Sequence, residues 1–342
     1  MAETSKLPET FYSTNKIDFS KPIDTSNLKE KSTIVTGGAS GIGAGVVTAF
    51  AEAGAYVTIL DRNEELGNAL VEKLTAKGLH VQFTKVDIAS FSSQTTGFKS
   101  AISFSPHKTL DIVVTSAGIS TSTTSTKWLA SNADNDDPEP PSTATLDVNL
   151  TGSFYSAHLA LHYFKKTTPE AAPEGDATPQ SKQIIFISSL AGYLPARDAL
   201  DYQASKFGVR GLWKSVRHSH DIVSEHTPFR TNLIAPTFIN SPLIERIVPG
   251  LKAKGQGVGE VDDVVGGILR VACDEAIYGR AVAIPVRREV AGDRNFDLGD
   301  DWEGRDAGPG LVEGIVNGGL EGLQLLSHSS AEGRLKGVGT RG

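Results

Sequence analysis

Residues 198–211 read DALDYQASKFGVRG and set a tyrosine and a lysine four positions apart inside an amphipathic stretch. Four residues is just over one helical turn, so the Tyr202 phenol and the Lys206 ammonium leave a helix on the same side. Such a pair is either a solvated helix face or a proton donor beside the charge that tunes it. A second chemical signal lies in TIVTGGASGIGAG, where Gly37, Gly41 and Gly43 fall at the positions of a tight turn, a close backbone approach to a phosphate and close helix packing. The free amides of a helix opening there face the pyrophosphate of a dinucleotide. Asp61, in VTILDRN, ends the following apolar run. An aspartate at that point accepts both ribose hydroxyls of NAD and repels a 2′-phosphate, whereas the neighbouring Arg62 suits the extra phosphate of NADP. Asp87 in KVDIAS reaches the adenine edge or caps the next helix. Taken alone, each of these residues also has an ordinary structural reading.

The elements that would position these groups alternate. STIVTG, AYVTIL, HVQFTKV, LDIVVT, KQIIFIS, FRTNLIA and RAVAIP read as about seven strands, separated by stretches with helix-period apolar faces. Strand and helix in alternation imply parallel pairing through right-handed crossovers. The expected class is α/β, a doubly wound, Rossmann-type parallel sheet with helices on both faces. Residues 1–30 read as an N-terminal arm, 31–286 as a single catalytic domain, and 287–342 as a loosely structured extension with one short helix around GLVEGIVNGGLEGLQLL. Residues 119–143 and 167–182, rich in Ser, Thr, Asp and Pro, read as loops, and Trp128 in the first would lid the site.

Composition narrows the function class. The chain has 342 residues, 39% of them hydrophobic and 21% charged, ordinary for a globular protein. A formal charge of −7 with no Lys/Arg block argues against nucleic acid, and no run approaches a membrane span. The N-terminus lacks the basic start and apolar run of a secretory signal, so a cytoplasmic protein is expected. Its one cysteine, Cys273, sits in an apolar helical stripe and reads as a buried thiol. His158 and His162 stand four apart, but no third ligand is evident, so no metal is expected.

Read in order, TGGASGIG, TSAG at 115–118, Asn149 in LDVNL, ISSLAG at 187–192, YQASK at 202–206 and LIAPTFINSP at 233–242 resemble the short-chain dehydrogenase/reductase superfamily. The resemblance spans about residues 30–285, with Ser189 thirteen residues before Tyr202. It implies an NAD(P)-dependent oxidoreductase that interconverts a secondary alcohol and a ketone, with NAD favoured over NADP. It also implies that Tyr202 is the general acid/base, that Lys206 holds the nicotinamide ribose, that Ser189 bonds the substrate oxygen, and that Asn149 holds a water passing protons to solvent. The implied cofactor set is Gly37, Ser40, Gly41, Ile42, Gly43, Asp61, Arg62, Asp87, Ile88, Ser116, Ala117, Gly118, Tyr202, Lys206, Pro236, Thr237 and Phe238.

A free phenol titrates near pH 10 and is a poor base at neutrality. An ammonium about 4 Å away at an effective dielectric of about 20 is worth roughly 4 kcal/mol, so a fall of about one to two pKa units is expected for Tyr202. The sequence departs from the family where Thr115-Ser116 replaces an Asn-Asn pair, where Thr237 replaces a glycine, and where the usual closing glycine pair is absent. Tyr193, Leu194, Phe238, Ile239, Leu243 and Ile244 suggest an apolar pocket for a bulky metabolite-like alcohol, with core packing as the rival. Two alternatives stand beside this reading: an NADPH-dependent ketoreductase, and a dinucleotide-binding sensor or scaffold without turnover. A small-molecule partner and a homodimer or homotetramer are the expected associations.

Overall fold

Short runs of Val, Ile and Thr form the strands, because β-branched side chains fit a pleated surface covered on both sides. A computed structural model describes residues 16–120, 137, 139–168, 181–194, 199–217, 223, 227–285 and 295–299. The strands are β1 (Ser32–Thr36), β2 (Tyr56–Asp61), β3 (Val81–Lys85), β4 (Ile112–Thr115), β5 (Lys182–Ile187), β6 (Phe229–Pro236), β7 (Ala281–Ile284) and β8 (Phe296–Asp297). They form one sheet in the order β3-β2-β1-β4-β5-β6-β7-β8. The first seven are parallel, and β8 returns antiparallel to β7. Strands β1, β4, β5, β6 and β7 are buried along their whole length, while the edge strand β3 is buried only at Val81 and opens to solvent at Lys85.

The helices are α1 (Gly41–Glu52), α2 (Glu64–Thr75), α3 (Phe91–Phe104), α4 (Ala144–Leu146), α5 (Gly152–Thr167), α6 (Leu200–Arg217), α7 (Val248–Ala253) and α8 (Val261–Cys273). A π-helical turn, Asp147–Thr151, joins α4 to α5. Two apolar layers result. Val46, Phe50, Leu74 and Ile268 from α1, α2 and α8 fill one face of the sheet, and Phe98, Phe164, Val209 and Trp213 from α3, α5 and α6 fill the other. The chain therefore winds from β1 outward to β3, then returns past β1 to start β4. That reversal leaves a crevice beyond the carboxyl ends of β1 and β4, where such sheets bind ligands.

The eighth strand is an addition to the seven read from the sequence. Two residues are too few to carry a pattern, and β8 is held by contacts far away in the chain. Asp297 pairs with the buried Arg280, just before β7, at 2.6 Å and accepts the Ile17 amide at 2.8 Å. Ile17 and Leu28 are buried in the first layer, so residues 16–30 lie against the body. Asn27 Nδ2 donates to the Cys273 carbonyl at 2.8 Å, and Arg270 donates to the carbonyls of Lys21 and Pro22. The helix expected around GLVEGIVNGGLEGLQLL, most of the 119–143 and 167–182 loops, and Trp128 lie outside the described residues.

Candidate active site

The glycine turn needs its glycines for two different reasons. Gly37 and Gly41 have φ of 65° and 52°, the left-handed region that side chains disfavour. Gly43 is required by proximity, since a Cβ there would lie 2.1 Å from the Gly37 carbonyl oxygen. At the start of α1 the N-cap Ser40 makes no side-chain cap, whereas Asn63 caps α2 and Ser90 caps α3. The first amides of α1 therefore have no side-chain acceptor, which fits an anionic pyrophosphate. Asp61 ends β2 with its carboxylate turned to this loop, accepting the Ala39 amide at 3.1 Å and the Asn63 amide at 2.9 Å. It braces the turn, a role that its position in the sequence did not announce. Arg62 is exposed beside it.

Beyond β3, Asp87 accepts the Ala89 amide at 3.0 Å, and Ser90 rather than Asp87 caps α3. The Ile88 carbonyl accepts Gln94 Nε2 at 2.6 Å. Beyond β4, the Ala117 amide donates to Thr36 Oγ1 at 3.1 Å, and a Cβ on Gly37 would lie 2.6 Å from Ala117 Cα. Ser116–Gly118 and the glycine turn thus meet at the crevice. A Cβ on Gly118 would lie 3.4 Å from Asn149 Oδ1 and 3.7 Å from Lys206 Nζ, so this glycine lies directly beside both side chains.

Ser189 follows β5, and Tyr202 lies in the first turn of α6. The Ser189 hydroxyl lies close enough to the Tyr202 phenol to ease its ionisation. Ser189 Oγ also donates towards the Pro236 carbonyl at 3.2 Å and accepts the Ala191 amide at 3.1 Å. Lys206 is buried one turn along, donating to the Ile187 carbonyl at 3.1 Å with its Nζ 5.6 Å from the centre of the Tyr202 ring. An ammonium has three donors, and two remain for a ligand.

The electrostatics correct one expectation. Burial pushes the Tyr202 phenol above its ordinary value, the Ser189 hydrogen bond pulling it partly back, so the expected fall is not present in the protein alone. Lys206 is itself lowered from 10.5 to about 8 by burial. Spacing along a helix placed the two groups on one side but carried no information about desolvation, which here sets the direction of both shifts.

Asn149 sits in the π turn with its side chain fully engaged. Oδ1 accepts the Ile119 amide at 2.8 Å, while Nδ2 donates to the Ile119 carbonyl at 2.9 Å and to Ser205 Oγ at 3.1 Å. Ser205 in turn donates to the Tyr202 carbonyl at 2.6 Å, so Asn149 steadies the opening of α6. Thr237 turns back to β7, its amide and hydroxyl both donating to the Ile284 carbonyl, at 2.9 and 3.1 Å. Phe238 is half-buried, and the Ile239 side chain enters the core. Tyr193 and Leu194 pack against the second apolar layer, as the core-packing rival held. Ser241 and Pro242 were not singled out from the sequence, yet they lie 3.4 and 3.5 Å from the position of a Gly41 Cβ, across the glycine turn. Only fold-level proximity reveals them.

His158 lies against Phe91 and His162 against Tyr163, and the described residues contain no group of three His, Cys, Asp or Glu placed to hold a metal. No helix among the described residues is long and apolar enough to cross a membrane.

The model of the short chain dehydrogenase family matches residues 31–251. The chain belongs to the short-chain dehydrogenase family. It is an NAD(P)-dependent oxidoreductase acting on CH–OH groups, and its substrate is a small-molecule alcohol or ketone. This dehydrogenase is 38% identical to 5'-hydroxyaverantin dehydrogenase of Dothistroma septosporum over 84% of its own chain and 94% of the relative's. It is 37% identical to NADP-dependent dehydrogenase M3 of a Phoma species, over 89% of each. A solved structure described as the crystal structure of gox2181 aligns with a TM-score of 0.57 and 27% identity, covering 73% of this chain and 92% of that one.

Proposed function

We propose that this dehydrogenase interconverts a bulky, apolar secondary alcohol and its ketone, with NAD as redox partner and Tyr202 as the general acid/base. The observation that carries the reading is the closeness of the Ser189 hydroxyl to the Tyr202 phenol, beside a buried lysine with donors to spare. In oxidation Ser189 orients the substrate oxygen and Tyr202 takes its proton; in reduction Tyr202 returns it. A dinucleotide held at the glycine turn and Lys206 would supply the hydride acceptor in oxidation and the hydride donor in reduction. Lys206 offers its free donors to the ribose, and its charge offsets the phenolate as it forms. Asn149 acts through Ser205 to keep the first turn of α6 in place. The cofactor set is the one named from the sequence, with Ser241 added where it faces Gly41.

The preference for NAD is supported by the Asp61 carboxylate at the end of β2, where a 2′-phosphate would meet a like charge. NADP is the second reading, favoured by the relatives named as NADP-dependent dehydrogenases and by the exposed Arg62. The bulky-substrate reading is supported by Leu243 and Ile247, 44% and 47% exposed beyond β6, and by relatives from two fungi named for 5'-hydroxyaverantin. Steady-state assays with NAD and NADP, on a panel from short alcohols to 5'-hydroxyaverantin, test both points through reduced-nicotinamide absorbance. Preference for short polar alcohols, or a higher kcat/KM with NADP, would overturn the corresponding half. Assembly as a homodimer or homotetramer belongs to the same reading, supported by the exposed Phe154 and Phe207 on α5 and α6, and light scattering tests it.

A further inference from the structure

Arg210 has no part in the chemistry proposed above, yet it touches the segment that carries Ser189. It lies one turn beyond Lys206 and two beyond Tyr202, on the same face of α6. Its guanidinium carbon stands 4.0 Å over the Tyr193 ring centre, and its NH1 donates to the Gly192 carbonyl at 3.1 Å. Both contacts fall on the short turn that leaves Ser189, in which Leu190–Gly192 form a single 3₁₀ loop.

The turn lies flush on α6. Ser188 Oγ donates to the Lys206 carbonyl at 2.9 Å, and Gln203 Nε2 donates to the Leu194 carbonyl at 2.6 Å. A Cβ on Gly192 would sit 2.8 Å from the Lys206 carbonyl, so the glycine is what permits this approach. Besides the approach of Ser189 to Tyr202, three side chains, Ser188, Gln203 and Arg210, thus fasten residues 188–194 to the helix that bears Tyr202 and Lys206. Arg210 is the only one of the three anchors that grips the turn at two places, and a planar guanidinium combines a stack with a directed donor as no other side chain does.

We propose that Arg210 is a positioning residue: by clamping Gly192 and Tyr193 onto α6 it holds the Ser189 hydroxyl in hydrogen-bonding register with Tyr202. The proposal rests on the proton-transfer reading above, because register matters only if Ser189 and Tyr202 meet one substrate oxygen. Small displacements of such groups cost about a hundredfold per ångström, so loss of one of three anchors is expected to lower kcat by roughly tenfold.

A double-mutant cycle tests it. Arg210→Met should lower kcat for the alcohol by about tenfold in the native background and by less than about twofold in Ser189→Ala, where no hydroxyl remains to misplace. NADH affinity, followed by nicotinamide fluorescence, should stay within about twofold in every variant, since the contacts of Arg210 with Gly192 and Tyr193 lie outside the cofactor segments. If Arg210→Met does not fold, Arg210→Lys, which keeps the charge but loses the flat stack, carries the same comparison. Equal losses in both backgrounds, native turnover in the single variant, or a parallel fall in NADH affinity would overturn the positioning role. Native turnover in Ser189→Ala alone would overturn the proton-transfer reading itself, and that single variant tells the two failures apart.

Discussion

Lys206 should cost this protein stability in return for chemistry, and the cost can be worked from the structure. It is 5% exposed, and burial lowers its pKa from 10.5 to about 8. At about 1.4 kcal/mol for each tenfold in proton affinity, holding it charged in the fold costs about 3 kcal/mol below pH 8. The native state then binds fewer protons than the unfolded state between pH 8 and 10.5, so this contribution to stability improves with rising pH across that window and is complete above it. Lys206→Met keeps the aliphatic stem and removes the charge, but it leaves the Ile187 carbonyl without its donor, at about 1 kcal/mol. The variant should therefore be about 2 kcal/mol more stable than the native protein at pH 7, and its advantage should fall by roughly 2 kcal/mol by pH 9.5. Urea denaturation of both proteins at the two pH values, without cofactor, measures the difference. A variant less stable than the native protein at pH 7, or an advantage that does not change with pH, would refute the reasoning.

The same geometry sets other outcomes. Ser189→Ala removes the hydroxyl that eases ionisation of the Tyr202 phenol, so the rising, acid-side limb of the pH–rate profile for alcohol oxidation should move to higher pH; an unmoved limb would dissociate the two groups. Gly43→Ala drives a methyl against the Gly37 carbonyl, 2.1 Å away, and should weaken NADH binding by more than about tenfold, read by fluorescence titration. Asp61→Ala should relax discrimination between NAD and NADP in steady-state assays, and should lower thermal stability because the Ala39 and Asn63 amides lose their acceptor.

Much of the fold was legible because it is written in local pattern. Runs such as KQIIFI and IVVT suit strands covered on both faces, and the glycine turn joins the first of them to a helix. The short β8 was not legible, since Phe296–Asp297 pairs only because Arg280 and the Ile17 amide converge on one carboxylate. The neighbourhood of Ser189 and Tyr202 was anticipated from order and spacing. Its electrostatics were not, because the depth at which Lys206 lies is a property of packing. Tyr193 showed the limit of reading side chains singly: an aromatic beside the site suggested a pocket wall, yet its ring packs on the second apolar layer and carries the Arg210 guanidinium. The partners of the Asn149 side chain, Ile119 and Ser205, were not legible either, because the π turn brings them close.

The phenol oxygen of Tyr202 is the atom on which the chemistry turns, and Tyr202→Phe removes it and nothing else. With saturating alcohol and NAD, NADH formation by this variant should fall by about a thousandfold, while NADH binding measured by fluorescence stays within about twofold of the native value. Turnover within tenfold of the native enzyme, with binding intact, would contradict the assignment of proton transfer to this residue.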